Sequence, residues 1–152
     1  MYKAATRALM RHSVRRLNDG DYSLMLRMAH PDFELAFPGH NTWATMFREQ
    51  VVSRHRHATH RGIDEATAFA ERFVAERVTF EIEDIVVNGP PWNTRIVVRA
   101  HNWISGADGD EYNNRAVLWL EVRWGRLVRW EDYEDTQRVA AWDERRAARL
   151  EA

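Results

Sequence analysis

Residues 114–133 read NRAVLWLEVRWGRLVRWEDY and decide the fold. The stretch is rich in β-branched and aromatic residues on both sides of Trp124-Gly125-Arg126, a pattern typical of two strands joined by a tight turn. It therefore predicts an antiparallel hairpin, with one strand at 114–124 and the next at 127–133.

Two more strands precede this hairpin. Apolar residues recur through 78–85, and a longer strand covers 94–104, with Ile96, Val98, Ala100 and Ile104 on one face. Asn88-Gly89-Pro90-Pro91 and the Gly- and Asp-rich residues 106–110 interrupt the pattern as turns. Consecutive strands joined by short turns indicate an antiparallel sheet.

Four helices are predicted by apolar residues at helical spacing. Between the second and the third, residues 33–37 alternate as a strand, and residues 42–61 are interpreted as a long connection. Because the helices are segregated from the consecutive strands, the sequence predicts an α+β fold in which the helices cover one sheet face. The helices are expected at 1–18 and 21–28, from Gly62 onwards and from a Thr136 cap through Trp142, with 144–152 fraying.

Length and composition limit the class of protein. The 152 residues fit one domain spanning 1–152. A formal net charge of −1, from 22 basic and 23 acidic residues, argues against nucleic-acid and membrane partners, although local basic patches remain open. The absence of cysteine excludes disulfides and thiolate chemistry. Residues 1–18 contain no recognisable signal peptide, so a cytoplasmic location is expected.

The C-terminal strands carry the best candidates for chemistry. Arg99, His101 and Trp103 share the face opposite the aliphatic one on their strand, and Trp130 and Asp132 share a face of the last strand. A carboxylate near an imidazole and a guanidinium forms an acid/base pair that works near neutral pH. The alternative is a solvated charged face with an ordinary surface ion pair.

A second candidate site is the turn after the first strand. Pro38-Gly39 ends that strand and leaves His40 and Asn41 between Phe37 and Trp43, an arrangement typical of a pocket mouth with apolar walls. A polar loop tip without a ligand is the alternative. The strand-borne tryptophans are likewise open to two interpretations, core filling or pocket walls.

The histidine cluster His55, His57 and His60 is a third candidate. Arg54, Arg56 and Arg61 lie between and beside these histidines, and their charge opposes a dication. We therefore expect no metal there and interpret residues 54–61 as an exposed basic loop.

Four further motifs stand in the sequence: Asn18-Asp19-Gly20-Asp21, His30-Pro31-Asp32-Phe33, Arg61-Gly62 and GRLVRWEDYED at 125–135. Together they resemble the nuclear transport factor 2-like superfamily, most closely its SnoaL-like branch. The resemblance covers residues 4–142 and implies a cone-shaped fold, with a strongly curved antiparallel or mixed sheet wrapped around helices. It also implies an apolar cavity and a homodimer.

Enzymes of this superfamily are matched only in part. Asp132 corresponds to an aspartate that helps limonene epoxide hydrolase to activate water, but Arg99-Ala100-His101 stands where that enzyme has Arg-x-Asp, and its Tyr-x-Asn is matched only at Asn41. Ketosteroid isomerase needs a carboxylate near the end of the first strand, and Pro38-Gly39-His40 offers none.

The hypothesis is a homodimeric protein without a cofactor that binds a small hydrophobic molecule and catalyses an isomerisation, cyclisation or hydration. In it, His101 and Asp132 act as acid and base and Arg99 orients Asp132. The ligand-binding residues are Phe37, His40, Asn41, Trp43, Trp103 and Trp130. The alternative is a binding or dimerisation module of the same fold without catalysis. Alternation shows which residues share a face but not which face is concave.

Overall fold

The computed structural model describes residues 1–51, 53, 57–106 and 109–152. Six strands form one mixed sheet: β1 (Ala29–Ala36), β2 (His60–Arg61), β3 (Thr79–Asn88), β4 (Thr94–Gly106), β5 (Gly109–Arg123) and β6 (Arg126–Glu134). Their order is β2-β1-β6-β5-β4-β3, and the sheet is open, with β2 and β3 at its edges. Of the five pairs of neighbouring strands, β1 and β6 are parallel and the other four pairs are antiparallel.

Four helices accompany the sheet: α1 (Tyr2–Asn18), α2 (Ser23–Met28), α3 (Gly62–Ala75) and α4 (Thr136–Glu151). α1 packs against β3, α3 against β1 and α4 against β5. We call the sheet face that bears the aliphatic residues of β4 the inner face and the other face the outer face. The predicted α+β fold is confirmed.

The predicted apolar stripe of α1 attaches this helix to the sheet. Met10 and Val14 pack on the main core, and Leu17 is buried. At the end of the helix, the Asn18 side chain pairs with the backbone of Phe80: Nδ2 donates to the carbonyl oxygen at 2.8 Å, and Oδ1 accepts from the amide at 2.9 Å. This side chain extends the β3 edge by one residue and fixes the helix on it.

Strict alternation gives the sheet its two faces. Ile96, Val98, Ala100 and Ile104 of β4 are buried, as the sequence predicts, while the residues that alternate with them on the other face are more accessible. The predicted hairpin is also present, with Trp124 at φ 49° and Gly125 at φ 74°. Two positive φ angles in a two-residue loop match the twist of an antiparallel pair. Register shifts in the four longest pairings bend the sheet.

The interpretation of residues 54–61 as an exposed loop is wrong at its C-terminal end. Ala58, Thr59 and His60 are buried, and His60 belongs to β2. The Thr59 hydroxyl accepts from the Phe37 amide at 3.0 Å, and its backbone amide donates to the Leu35 carbonyl at 2.8 Å. These bonds attach the segment to the edge of β1. His55 lies outside the described residues.

The predicted boundaries of the last helix are also wrong. Its cap is Asp135, whose Oδ1 accepts from the amides of Gln137 at 3.1 Å and Arg138 at 3.4 Å. The helix continues to Glu151, through the residues predicted to fray. Arg146 pairs with Glu76 at 2.7 Å, and Arg149 pairs with Glu111, so charged side chains attach its second half to the body of the domain.

None of the helices in the described part of the chain combines the length and apolarity needed to cross a bilayer.

Candidate functional site

An apolar cavity of about 90 Å³ lies between the helices and the inner face of the sheet. All four helices and strands β3 to β6 contribute to its wall. Methionines from α1 and α2 line part of it, and their unbranched side chains adapt to irregular space. Its aromatic lining includes Phe37, Trp43, Phe69, Phe73, Trp130 and Trp142.

Two carboxyl groups interrupt this apolar lining. Asp132 and Glu134 lie two residues apart on β6, so both side chains are on the inner face, opposite Leu118 and Ala116 of β5. Asp132 is 9% exposed. Asp132 Oδ1 and Glu134 Oε1 are buried and have no hydrogen-bond partner among the described residues. An unpaired buried carboxyl oxygen is costly, so both need an explanation.

Polar side chains of the neighbouring strands hold the other oxygen of Glu134. Its Oε2 accepts from the Asn114 amide at 3.2 Å and from the Tyr112 hydroxyl at 3.5 Å. Asn102 of β4 also hydrogen-bonds to this carboxyl group. Asn114 in turn donates to the Tyr112 oxygen at 2.9 Å and to the backbone carbonyl of Asp135 at 3.0 Å. Side chains from two neighbouring strands, β4 and β5, therefore hold Glu134 in place.

Burial changes the acidity of both carboxyls. It raises the pKa of Glu134 to about 7, even though hydrogen bonds from Asn102 and Tyr112 favour the ionised form. Burial and the nearby charge of Glu134 raise the pKa of Asp132 well above its usual range. Burial also raises the pKa of the Tyr112 hydroxyl, so this group stays protonated. A pair that is partly protonated near neutral pH can both take up and deliver a proton.

The structure does not bring the three predicted catalytic residues together. Asp132 lies in the cavity, but Arg99 and His101 lie on the outer face. The Arg99 side chain is 64% exposed and pairs with Glu83 at 3.3 Å. His101 Nε2 lies 2.6 Å from Asn113 Oδ1.

The predicted ligand-binding residues are likewise distributed between the cavity and positions outside it. Phe37, Trp43 and Trp130 line the cavity. His40 is exposed, and Trp103 lies on the outer face with its ring 4.9 Å from that of His101.

Asn41 is buried for a local structural reason. Its Oδ1 accepts from the amides of Trp43 at 3.1 Å and Ala44 at 2.9 Å, and its Nδ2 donates to the Pro38 carbonyl at 2.9 Å. The side chain therefore stabilises its own turn, and this role accounts for its burial.

His60 is a core residue. Its ring lies between Phe47 and Phe69 at centroid distances of 5.4 and 5.0 Å, and Nδ1 hydrogen-bonds to the Thr59 hydroxyl at 2.8 Å. Burial lowers the pKa of His60 to about 4. Among the described residues, which omit His55, no three His, Asp or Glu side chains are placed to hold a metal ion.

Sequence reasoning missed four polar residues of the site: Asn102, Tyr112, Asn114 and Glu134. The sequence contained a signal for this site, because polar residues interrupt the aliphatic pattern of two strands. Asn102 interrupts the aliphatic face of β4, and Asn114 occupies the corresponding place opposite it in β5. A polar residue in an otherwise aliphatic row marks a buried polar site.

Comparisons with known proteins identify the family. The sequence profile of the SnoaL-like domain family matches residues 10–130. The chain belongs to the SnoaL-like domain family. The resemblance noted in its motifs is therefore confirmed. Among curated proteins, no sequence matches this SnoaL-like domain.

Solved structures similar to this SnoaL-like domain agree with its fold. Bal32a from a soil-derived mobile gene cassette is 15% identical, with a TM-score of 0.66, and the alignment covers 91% of this chain and 93% of the Bal32a chain. A loop truncation variant of IdmH is 18% identical, with a TM-score of 0.65 and coverages of 90% and 97%. A putative polyketide cyclase from Sinorhizobium meliloti is 14% identical, with a TM-score of 0.56 and coverages of 83% and 94%. At these identities the likeness concerns the fold alone.

Proposed function

We propose that this SnoaL-like domain is an enzyme without a cofactor that moves a proton on a small, mostly apolar carbonyl compound bound in the cavity. One observation carries the proposal: Asp132 and Glu134 lie side by side in an apolar cavity, and each has a buried oxygen without a partner in the described chain. Proton transfer next to a carbonyl is the shared first step of isomerisations and of cyclisations that form a carbon–carbon bond.

The chemistry needs only these two side chains. The ionised carboxyl of the pair removes the proton from the carbon beside the carbonyl, and the C–H electrons form a carbon–carbon double bond while the carbonyl π electrons move to oxygen. The carboxylic acid formed in this step then returns the proton to a carbon atom, which completes an isomerisation. In a cyclisation, the carbon instead forms a bond to a carbon electrophile. In this proposal Asp132 keeps its predicted role, and Glu134 replaces His101 as its partner. The neighbour described as a putative polyketide cyclase is consistent with this class of reaction.

Deuterium uptake tests the proposal. Cyclohexanone and cyclopentanone are incubated with the protein in D₂O, and NMR follows the loss of the protons next to the carbonyl. We expect protein-dependent exchange that Asp132→Asn and Glu134→Gln each reduce by roughly 10² or more. His101→Ala separates the two candidate pairs, because outer-face His101 does not contact the cavity and its variant should exchange at the wild-type rate.

The alternative is a module of the same fold that binds a ligand without changing it. In that case the protein binds these ketones without accelerating exchange. Exchange that is lost in His101→Ala but retained in Glu134→Gln would also contradict the proposed pair.

We further propose that two copies associate through the outer face. Val86, Val97 and Trp119 lie in one row across β3, β4 and β5, and Val117 pairs with Tyr133 in the next. Val86, Val117 and Tyr133 are 55%, 42% and 57% exposed. The face also carries both signs of charge, because Arg99 and Arg115 flank Glu83 there. A face with apolar rows and both charges suits a two-fold contact with itself.

A further inference from the structure

Two tryptophans of the cavity wall have indole N–H groups without an acceptor among the described residues. Trp130 on β6 and Trp142 on α4 both line the cavity, and the Nε1 atoms of both indoles are buried without a partner among the described residues. An indole nitrogen can only donate. Neither carboxyl group accepts from them, although Asp132 and Glu134 have free oxygens in the same wall. Native proteins rarely leave such groups unpaired, so the two donors call for an acceptor outside the described residues.

We propose that Trp130 and Trp142 bind the acceptor oxygen of a small, neutral ketone or aldehyde. The inference rests on the proposed function and adds the residues that recognise the substrate oxygen. A carbonyl oxygen has two lone pairs and therefore accepts from either donor or from both.

The position of Trp130 suits such a role. It precedes Asp132 by two residues on the same face of β6, so the two side chains begin roughly 6 to 7 Å apart. A ketone fits within that separation. Its carbonyl oxygen accepts from the indole, and the proton on the neighbouring carbon faces a carboxyl oxygen of Asp132. When the proton leaves, charge develops on the oxygen that the indoles hold. Fixed donors at that atom stabilise the transition state more than the ground state.

Charge excludes the other ligand classes. A carboxylate or phosphate would be placed against the acidic pair Asp132 and Glu134 in a medium of low dielectric constant. An ammonium ion would suit the acids but would leave both indole donors unsatisfied, since it offers no acceptor. The unpaired Oδ1 of Asn102 adds an acceptor to the same wall, which suits a ligand that also carries a hydroxyl or enol proton.

Size limits the ligand further. A cavity of about 150 Å³ holds benzene, whereas this one measures about 90 Å³. A ligand with a six-membered ring therefore requires some movement of the methionines in the wall, Met10, Met25 and Met28.

The test uses a pair of probes that differ in one atom group. Cyclohexanone and methylenecyclohexane have nearly the same shape, but only the ketone has an acceptor oxygen. Each is titrated into ¹⁵N-labelled protein, and the indole N–H signals, assigned with Trp130→Phe and Trp142→Phe, are followed by NMR. We expect the signals of Trp130 and Trp142 to move downfield with the ketone and not with the alkene.

Affinities provide the second measurement. Each Trp→Phe variant should weaken the binding of the ketone about tenfold more than the binding of the alkene, since both probes lose contact with the larger ring but only the ketone loses a hydrogen bond. Trp43→Phe is the matched control, because Trp43 lines the same cavity but its indole nitrogen is not among the buried unpaired atoms. It should alter both affinities to the same extent.

Three results would overturn the inference: equal indole shifts with both probes, equal losses of affinity for both, or no binding of the ketone up to its solubility. The first would mean that water occupies the donors in every state. A ketone that shifts both indole signals but exchanges no deuterium would remove the proposed catalysis and leave the binding role intact. The two proposals therefore fail separately.

Discussion

Burial raises the pKa of Glu134 to about 7, compared with an ordinary value of 4.5. Because the folded state holds the proton more tightly than the unfolded chain, this group favours folding fully below pH 4.5 and loses that contribution as the pH rises through 7. A shift of this size corresponds to at most about 3 kcal/mol.

Glu134→Gln should therefore remove a pH dependence. Relative to wild type, the free energy of unfolding of the variant should rise by up to about 3 kcal/mol between pH 4.5 and pH 8, because glutamine never ionises. Chemical denaturation at the two pH values measures the difference. Glu144→Gln is the control, since Glu144 is exposed on α4, and it should parallel wild type.

The comparison must be with wild type because His60 acts in the opposite direction. Its pKa is lowered to about 4, so the unfolded chain binds the proton between pH 4 and 6.5 and stability rises with pH there. His60 is present in all three proteins, and its contribution cancels. A Glu134→Gln profile parallel to wild type would show that Glu134 ionises freely.

Single residues were predictable where a local pattern includes them. Alternation placed Asp132 with Trp130 on one face of the last strand, without showing that this face is the inner one, and the turn after the first strand placed Phe37 near Trp43. Glu134 was not predicted as a site residue, because an acid at the end of a strand, beside Asp135, is typical of a solvated terminus. Its burial depends on Asn102 and Tyr112, which reach it from strands far away in sequence.

The beginning of α4 gives a prediction at the scale of an element. Asp135 accepts from two amides of the first turn, whereas the sequence suggested Thr136 as the cap. Asp135→Ala should lower the free energy of unfolding by about 1 kcal/mol, and Asp135→Asn, which retains an acceptor oxygen, by much less. Thermal or urea unfolding checks both. A larger loss in Thr136→Ala than in Asp135→Ala would assign the cap to Thr136 instead.

Elements with local determinants were predicted well, and those with distant ones were not. The β5–β6 hairpin follows from Trp124-Gly125-Arg126, whose backbone geometry suits a two-residue turn. The second half of α4 has few apolar residues and depends on partners such as Glu76 and Glu111, more than 30 positions earlier in the chain. Pairing at that range is invisible in a local pattern, and the same is true of β2 on β1.

At the scale of the whole molecule, the position of the helices decides which face of the sheet carries the candidate site. Alternation alone placed Arg99 and His101 on one face of β4, and Asp132 on one face of β6, without relating the two. Since α1, α3 and α4 pack on the sheet and the aliphatic residues of β4 lie beneath them, Asp132 is enclosed while Arg99 remains outside. The acidic pair is therefore built within one strand and completed by its neighbours.

The proposed contact between the outer face and a second copy is tested by placing charged residues in its apolar rows. In Val86→Lys/Val117→Lys, two cations replace exposed valines on β3 and β5. Desolvating them in a dimer is costly, so the variant should sediment as a monomer at concentrations where wild type is a dimer. Leu150→Lys, a change at a more exposed position on α4, should remain dimeric, and unchanged circular dichroism would show that all three proteins are folded. A wild-type monomer at every concentration, or a dimeric double variant, would exclude this face as the interface.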